Sequence, residues 1–351
     1  MKSFIAARMF RQSSKAETRL NILQRHLSSA NTSAQRAIAV SLVSSSSNIT
    51  KRANPEELAT PSHRRSDLSA ADMKHARYVL EKKNAYIIDL DGCIYMQHRL
   101  LPGAKEFVRW LHNSKKNYVF LTNSSDKTPK EMAEKFHRLG LDFVDESHFF
   151  TSAMATAAFV ADQKGGGSRA FVIGQDALRS ALSEKGIFCI SEQSAEMSNP
   201  DFVVMGETSS REVYNYDTIA LAIKLVRRGA RLIGTNEDLA DRVGAELHPG
   251  TGAMVLPIAA VCGTEPYFVG KPNPIMVVNA LERLKSSREA TLFVGDRMNT
   301  DIRAGVEAQV DTCLVLSGVT SELDVARFSY RPTIILNGVG DVPAILGFEA
   351  E

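Results

Sequence analysis

Short apolar runs alternate with longer amphipathic stretches along most of the chain. Tyr86-Ile87-Ile88-Asp89 and Tyr118-Val119-Phe120-Leu121 are almost continuously apolar, while 104–114 and 128–139 space their apolar positions as helices do. Strands that lack polar alternation are buried on both faces, and intervening helices supply the cover and the crossovers of a parallel sheet. The predicted fold class is α/β. The pattern restarts at 170–174, continues through 201–206 and 231–234, and resumes near Tyr267-Phe268-Val269. The glycine run Gly165-Gly166-Gly167 marks a hinge just before this middle block. These signals predict a domain inserted at 168–263 between two core segments, 67–167 and 264–351, with no internal repeat or heptad.

Residues 1–61 break the pattern. They are rich in Ser, Arg, Ala, Asn and Thr, include Ser44-Ser45-Ser46-Ser47, and carry one acid, Glu17, before Glu56. Such a composition cannot build a core. Lys2, Arg8, Arg11, Lys15, Arg19 and Arg25 recur beside Phe4, Ile5, Met9 and Phe10, as in an organelle transit peptide, and no sustained apolar stretch suits a secretory signal. Arg25-His26-Leu27-Ser28-Ser29 is similar to arginine-directed processing sites of mitochondrial presequences. The expectation is a mitochondrial matrix protein; a tail without an address, on a cytoplasmic protein, is the alternative.

The 351 residues suffice for one large or two modest domains, and 42 basic against 40 acidic residues leave a net charge of only +2. A nucleic-acid surface would need a strongly basic domain, so no such partner is expected. Cys93, Cys189, Cys262 and Cys313 are far apart, without a C-x-x-C pair, which argues against a zinc knuckle or a disulfide framework. No apolar run approaches the roughly 20 residues of a membrane span.

Candidate chemistry gathers in four places. Asp89-Leu90-Asp91-Gly92 leaves a buried strand with its two carboxylates on one side, because strand side chains alternate. Carboxyl ends of parallel strands are where open α/β sheets bind ligands. Paired acids there need a cation, a shared proton or solvent between them, and a hard cation such as magnesium takes oxygen ligands together with substrate phosphate. By itself the motif reads equally well as an Asp-Gly turn. The next strand ends in Thr122-Asn123-Ser124, whose hydroxyl, amide and N–H donors suit phosphoryl oxygens; a helix cap is the plain alternative. In Gly270-Lys271-Pro272-Asn273-Pro274 the prolines set a helix start and place Lys271 ahead of its positive end, where it can meet phosphate and carboxylates. Ala290-Thr291-Leu292-Phe293-Val294 then delivers Asp296, placed to complete a magnesium site with Asp89 and Asp91. Asp301, on the opening helical turn, is placed to orient Lys271 or a metal-bound water, or else to cap the helix.

In this order D-x-D-G, a strand ending in Thr-Asn-Ser, G-K-P-x-P and G-D-R-x-x-T-D resemble the four motifs of haloacid-dehalogenase-superfamily phosphatases, over about 86–319. An inserted domain between the second and third motifs resembles the C2a cap subclass, which includes NagD-type nucleotide, nitrophenyl phosphate, phosphoglycolate and pyridoxal phosphate phosphatases. Gly234-Thr235-Asn236-Glu237-Asp238, His248-Pro249-Gly250-Thr251-Gly252-Ala253 and the stretch 310–319 are also similar to that subclass. The resemblance implies that Asp89 attacks phosphorus and becomes an aspartyl phosphate, while Asp91 protonates the leaving oxygen and then activates water. It implies that Asp89, the Asp91 carbonyl and Asp296 hold Mg2+, that Thr122, Asn123 and Ser124 hold the phosphoryl group, and that Lys271 neutralises the nucleophile. The implied substrate is a small phosphorylated metabolite, and the implied assembly a homodimer through the cap. Cys93 stands where Thr or Val is common, and Glu237 replaces a frequent Pro in a segment expected to recognise the leaving group.

Phosphomutases, dehalogenases and P-type ATPases share parts of this core. Dehalogenases usually lack the acid that Asp91 supplies, and the ATPases need membrane helices. A silent scaffold using its cap as an interface is the reading from another class, and it gives no physical reason to retain Asp89, Asp91, Lys271 and Asp296 together.

Overall fold

The structure is a computed structural model that describes residues 68–164, 167–243 and 246–348. The expected leader at 1–61 lies outside the described residues, as do Gly165 and Gly166 of the hinge run. After a first helix (Ala70–Leu80) come β1 (Ala85–Ile88), a hairpin of β2 (Tyr95–Met96) and β3 (Arg99–Leu100), a helix (Ala104–Asn113), β4 (Asn117–Thr122), a helix (Pro129–Arg138), β5 (Phe149–Thr151) and a helix (Ser152–Lys164). The middle block contributes β6 (Arg169–Ile173), β7 (Phe188–Ile190), β8 (Phe202–Met205), β9 (Arg231–Gly234), the hairpin β10 (Ala240–Val243) and β11 (Glu246–Pro249), and β12 (Tyr267–Phe268). A helix (Ile275–Leu284), β13 (Thr291–Gly295), β14 (Asp311–Val315) and β15 (Ile334–Leu336) complete the core.

Six strands form one sheet in the order β15-β14-β13-β1-β4-β5, and five form a second in the order β12-β9-β8-β6-β7. All pairings in the first sheet are parallel. The same holds in the second. The α/β expectation is met, and its cause is visible in the strand residues. Tyr86, Ile88, Phe120, Leu292 and Val294 pack on one face with Phe107, Trp110 and Phe136. Their neighbours Ile87, Val119, Leu121 and Phe293 pack on the other with Val277 and Leu281. Alternate side chains point to opposite faces, so only continuously apolar strands satisfy both layers, each fully buried side chain contributing roughly 1.5–3 kcal/mol.

Helix 129–138 starts with a capping box: Thr128 Oγ1 accepts from the Glu131 N–H at 3.2 Å, and Glu131 Oε2 accepts from the Thr128 N–H at 2.7 Å. The cap is therefore Thr128, which frees 122–124 from that duty. One boundary differs from expectation. Tyr267–Phe268 does not resume the core but adds an edge strand to the second sheet beside β9, beyond the boundary expected at 263. Gly234 makes room for it, since a Cβ there would lie 2.4 Å from the Phe268 ring.

Candidate active site

Three adjacent strands of the core sheet, β4, β1 and β13, end in Thr122, Asp89 and Gly295-Asp296, so the predicted residues meet at one carboxyl edge. Asp89 is buried, with its N–H donating to the Val294 carbonyl at 2.8 Å. Lys271, 3% exposed, donates from Nζ to Asp89 Oδ1 and to the Leu121 carbonyl at 3.2 Å, and forms an ion pair with Asp301 Oδ1 at 2.8 Å. Burial works against the charged ammonium, but Asp301 and Asp89 outweigh it and raise the Lys271 pKa. Burial lifts Asp89 well above the usual carboxylate range, with Lys271 opposing and Asp301 and Asp296 reinforcing. Asp301 is held from the other side by the Arg297 N–H, 3.1 Å from Oδ2, within a π-helical turn at Met298–Ile302. The structure brings Asp301 and Lys271 together.

Asp296 is 1% exposed, and burial followed by the Asp301 charge lifts its pKa to about 7. Oδ2 accepts from the Val319 N–H at 2.7 Å, whereas Oδ1 is buried without a hydrogen-bond partner. Two glycines permit this crowding. A Cβ on Gly318 would lie 2.0 Å from Asp296 Oδ2, and one on Gly92, whose φ is +83°, would lie 2.5 Å away. Ser317 Oγ, donating to the Gly92 carbonyl at 2.7 Å, ties the two loops together.

Ligand atoms of Asp89, Cys93 and Asp296 lie within 4.8 Å of one another. Two dehydrated carboxylates, one oxygen without a partner, fit a hard divalent cation. Burial, then Asp89, raises the Cys93 pKa, which favours the neutral thiol. Asp91 stands apart: its side chain is exposed, outside this group. Although it reaches solvent, partial loss of hydration raises its pKa, against the pull of Lys135, Arg297, Lys271 and Lys127.

The expected phosphate cradle divides. Thr122 is buried, and its Oγ1 accepts from the Ser124 N–H at 3.1 Å. Ser124 Oγ turns away to donate to Asp126 Oδ1 at 2.5 Å. The Asn123 amide faces the Lys271 backbone and Asp238 instead of open space. Glu237 is exposed.

Sequence reasoning missed Glu207, which follows β8 and faces the loop after β4. Its Oε2 accepts from the Ser125 N–H at 3.0 Å, and its own N–H donates to Ser125 Oγ at 2.8 Å. Thr235 Oγ1 reaches the same hydroxyl at 3.1 Å. The carboxyl edges of the two sheets therefore meet around Ser125. The strand-end rule that found Asp89 and Asp296 points to Glu207 as well, once β8 is recognised as a strand.

Comparison with known proteins agrees with this geometry. A family model described as haloacid dehalogenase-like hydrolase matches residues 86–188, and a HAD-hydrolase-like model matches 268–342. The chain belongs to the haloacid dehalogenase-like hydrolases. This hydrolase is 39% identical over 259 residues to the ribonucleotide monophosphatase NagD of Escherichia coli K12, covering 74% of this chain and 98% of that protein. It is 36% identical over 258 residues to a dihydroxyacetone phosphatase of Corynebacterium glutamicum, covering 74% and 90%. The solved NagD structure of E. coli K-12 matches with a TM-score of 0.67 and 38% identity over 74% of this chain and 98% of that one. A glycerol phosphate phosphatase from Mycobacterium tuberculosis, solved in complex with magnesium, matches with a TM-score of 0.69 and 27% identity over 75% and 77%. The hydrolase is thus a NagD-like phosphatase, a phosphoric monoester hydrolase. Among its described residues no helix is long and apolar enough to cross a membrane.

Proposed function

We propose that this phosphatase hydrolyses small phosphomonoesters, such as nucleoside monophosphates, sugar phosphates and 4-nitrophenyl phosphate, through an aspartyl phosphate on Asp89 and with Mg2+ as cofactor. The observation that carries the reading is the buried ammonium of Lys271 shared by Asp89 and Asp301, beside the unpartnered oxygen of Asp296. Asp89 and Asp296 would hold magnesium, which when bound supplies positive charge against the phosphoryl oxygens. An Asp89 oxygen forms the new bond to phosphorus as the ester P–O bond breaks, and Asp91 gives its proton to the leaving oxygen. The raised pKa of Asp91 suits it to carry that proton. Asp91 then takes a proton from water, whose oxygen attacks phosphorus and releases phosphate and free Asp89. Lys271 balances the charge of the nucleophile throughout, and Thr122 lies at the neighbouring strand end to meet the phosphoryl group.

The test is phosphate release from 4-nitrophenyl phosphate. Asp89→Asn should lower kcat by about 10³-fold or more, as loss of a nucleophile does, and chelation of magnesium should stop turnover. Activity in that variant, or indifference to chelation, overturns the mechanism.

For residues 1–61 we propose a mitochondrial address, on the strength of their arginines and near absence of acids. Imaging of the chain with and without 1–61 should move it from mitochondria to cytosol; the same distribution for both forms refutes the address. A homodimer through the cap is proposed as well. Met197 and Tyr216, 83% and 86% exposed, extend from neighbouring cap helices joined by a Thr218–Glu192 hydrogen bond and a Lys224–Glu196 ion pair. A monomer in sedimentation at micromolar concentration refutes it.

A further inference from the structure

Two cap segments that the proposed chemistry leaves unused, 234–238 and 248–253, converge on one carboxylate. Asp238 Oδ2 accepts from Asn123 Nδ2 at 3.0 Å. The same amide nitrogen donates to the Lys271 carbonyl at 3.0 Å, and Asn123 Oδ1 accepts from the Lys271 N–H at 2.8 Å. Asn123 therefore clamps the Lys271 backbone at two points, with both amide hydrogens used. Turned over, the amide would set its oxygen against the Lys271 carbonyl and against Asp238. A carboxylate can only accept, so Asp238 reinforces the orientation that the Lys271 N–H and carbonyl favour.

Asp238 is itself held closely. Its N–H donates to Asn236 Oδ1 at 3.1 Å, and Asn236 Nδ2 donates to the Asn123 carbonyl at 2.9 Å. Gly252 donates its N–H to the Asp238 carbonyl at 2.9 Å. Side chains would be intolerable beneath this loop: a Cβ on Gly250 would lie 2.2 Å from the Asp238 carbonyl oxygen, and one on Gly252 2.3 Å from that of Glu237. Gly270, next to the lysine, donates to the Thr235 carbonyl at 2.8 Å, and a Cβ on it would lie 2.5 Å from that oxygen. Gly250, Gly252 and Gly270 thus let 235–238 seat against the lysine loop.

We propose that Asp238 is a positioning residue that acts through Asn123: it fixes the Lys271 backbone and so aims the ammonium at Asp89 only while the cap segment 235–238 is seated. The proposal rests on the reading of Lys271 as countercharge to the nucleophile. It makes the cap part of the catalytic machinery as well as a cover, although Asp238 touches no reacting atom.

The test measures kcat and KM on 4-nitrophenyl phosphate with magnesium, together with thermal unfolding, for Asp238→Ala, Asp238→Asn, Asn123→Ala and the double variant Asn123→Ala/Asp238→Ala. Loss of a hydrogen bond to a charged group is worth roughly 10- to 100-fold in rate. Asp238→Ala should lose that in kcat, with KM within about threefold. Asp238→Asn, whose side-chain oxygen still accepts but without the charge, should fall between wild type and Asp238→Ala. The double variant should be no slower than Asn123→Ala, because Asp238 has nothing left to act through. The Arg297 guanidinium, 3.9 Å from Asp238 Oδ1, is the competing route. An undiminished effect of Asp238→Ala in the Asn123→Ala background overturns the proposal, as does an unchanged kcat in Asp238→Ala, or a loss expressed only in KM. Asp89→Asn, run alongside, judges the phosphatase mechanism separately: inactivity there upholds that mechanism whichever way the Asp238 series falls.

Discussion

Replacement of Lys271 by Met keeps an unbranched chain and removes a charge that three acceptors share. It leaves Asp89, Asp296 and Asp301 buried, at 8%, 1% and 1% exposure, together with the Leu121 carbonyl. Removing one partner of a buried ion pair costs about 3–5 kcal/mol, because the remaining charge has neither water nor counterion. Such a loss should appear as a lower denaturant midpoint of the magnesium-free variant at pH 8. The sign of its pH dependence follows from the acids. Carboxyl groups whose folded pKa lies above the unfolded one take up protons on folding, so stability rises as pH falls and is lost as pH climbs through the folded pKa. Asp296 already has this character at about 7, and without Lys271 the slope between pH 5 and 8 should steepen. Magnesium, replacing part of the lost charge, should narrow the gap from wild type. In turnover, loss of a preorganised charge at the nucleophile should lower kcat by about 10²–10³-fold. A variant as stable as wild type at pH 8 without metal, or with kcat within about threefold, refutes the role of Lys271 as countercharge.

Two other perturbations address separate parts of the site. Gly318→Ala places a methyl 2.0 Å from Asp296 Oδ2 and must displace that carboxylate; the magnesium concentration for half-activation should rise about 10- to 100-fold, which titration of activity with the metal checks. Glu207, pushed from 4.5 to about 8 by burial and then by Asp241, holds a proton in the folded state that the unfolded chain releases. Stability should therefore fall as pH rises between those values, by at most about 1.4 kcal/mol per pH unit. Glu207→Gln should flatten that part of the profile, and an identical slope in the variant argues against Glu207 as its source.

The core strands were legible because residues such as Ile87 and Val119 face one helical layer while Tyr86 and Phe120 face the other, which forces unbroken apolar runs. Asp89 and Asp296 were legible for a related reason, since polar residues that end such runs stand where the sheet opens, while Lys271 was read from the prolines that set a helix start. Asn123 was harder to read. It sits at a strand end like the others, but its amide goes to partners 115 and 148 residues away, and no local pattern encodes those contacts. Ser124 turned to Asp126, a neighbour two positions on, because a short hydroxyl finds a nearby carboxylate before a distant ligand. Tyr267-Phe268 looked like resumed core because two residues carry no periodicity, and the space above Gly234 decides where they pair.

Lys271 meets Asp89 across 182 residues of chain, which sets the order in which the site can be made. During synthesis the first acids leave the ribosome long before their countercharge exists, and the lysine itself precedes Asp301. At the roughly 5–20 residues per second of translation, Asp89 waits about ten seconds or more in water. A growing chain stopped short of Lys271 can form strands of both sheets and still offer its nucleophile no counterion. Burial of Asp89 beside its countercharge is therefore a late event in folding, which cannot precede the synthesis of Lys271 and Asp301.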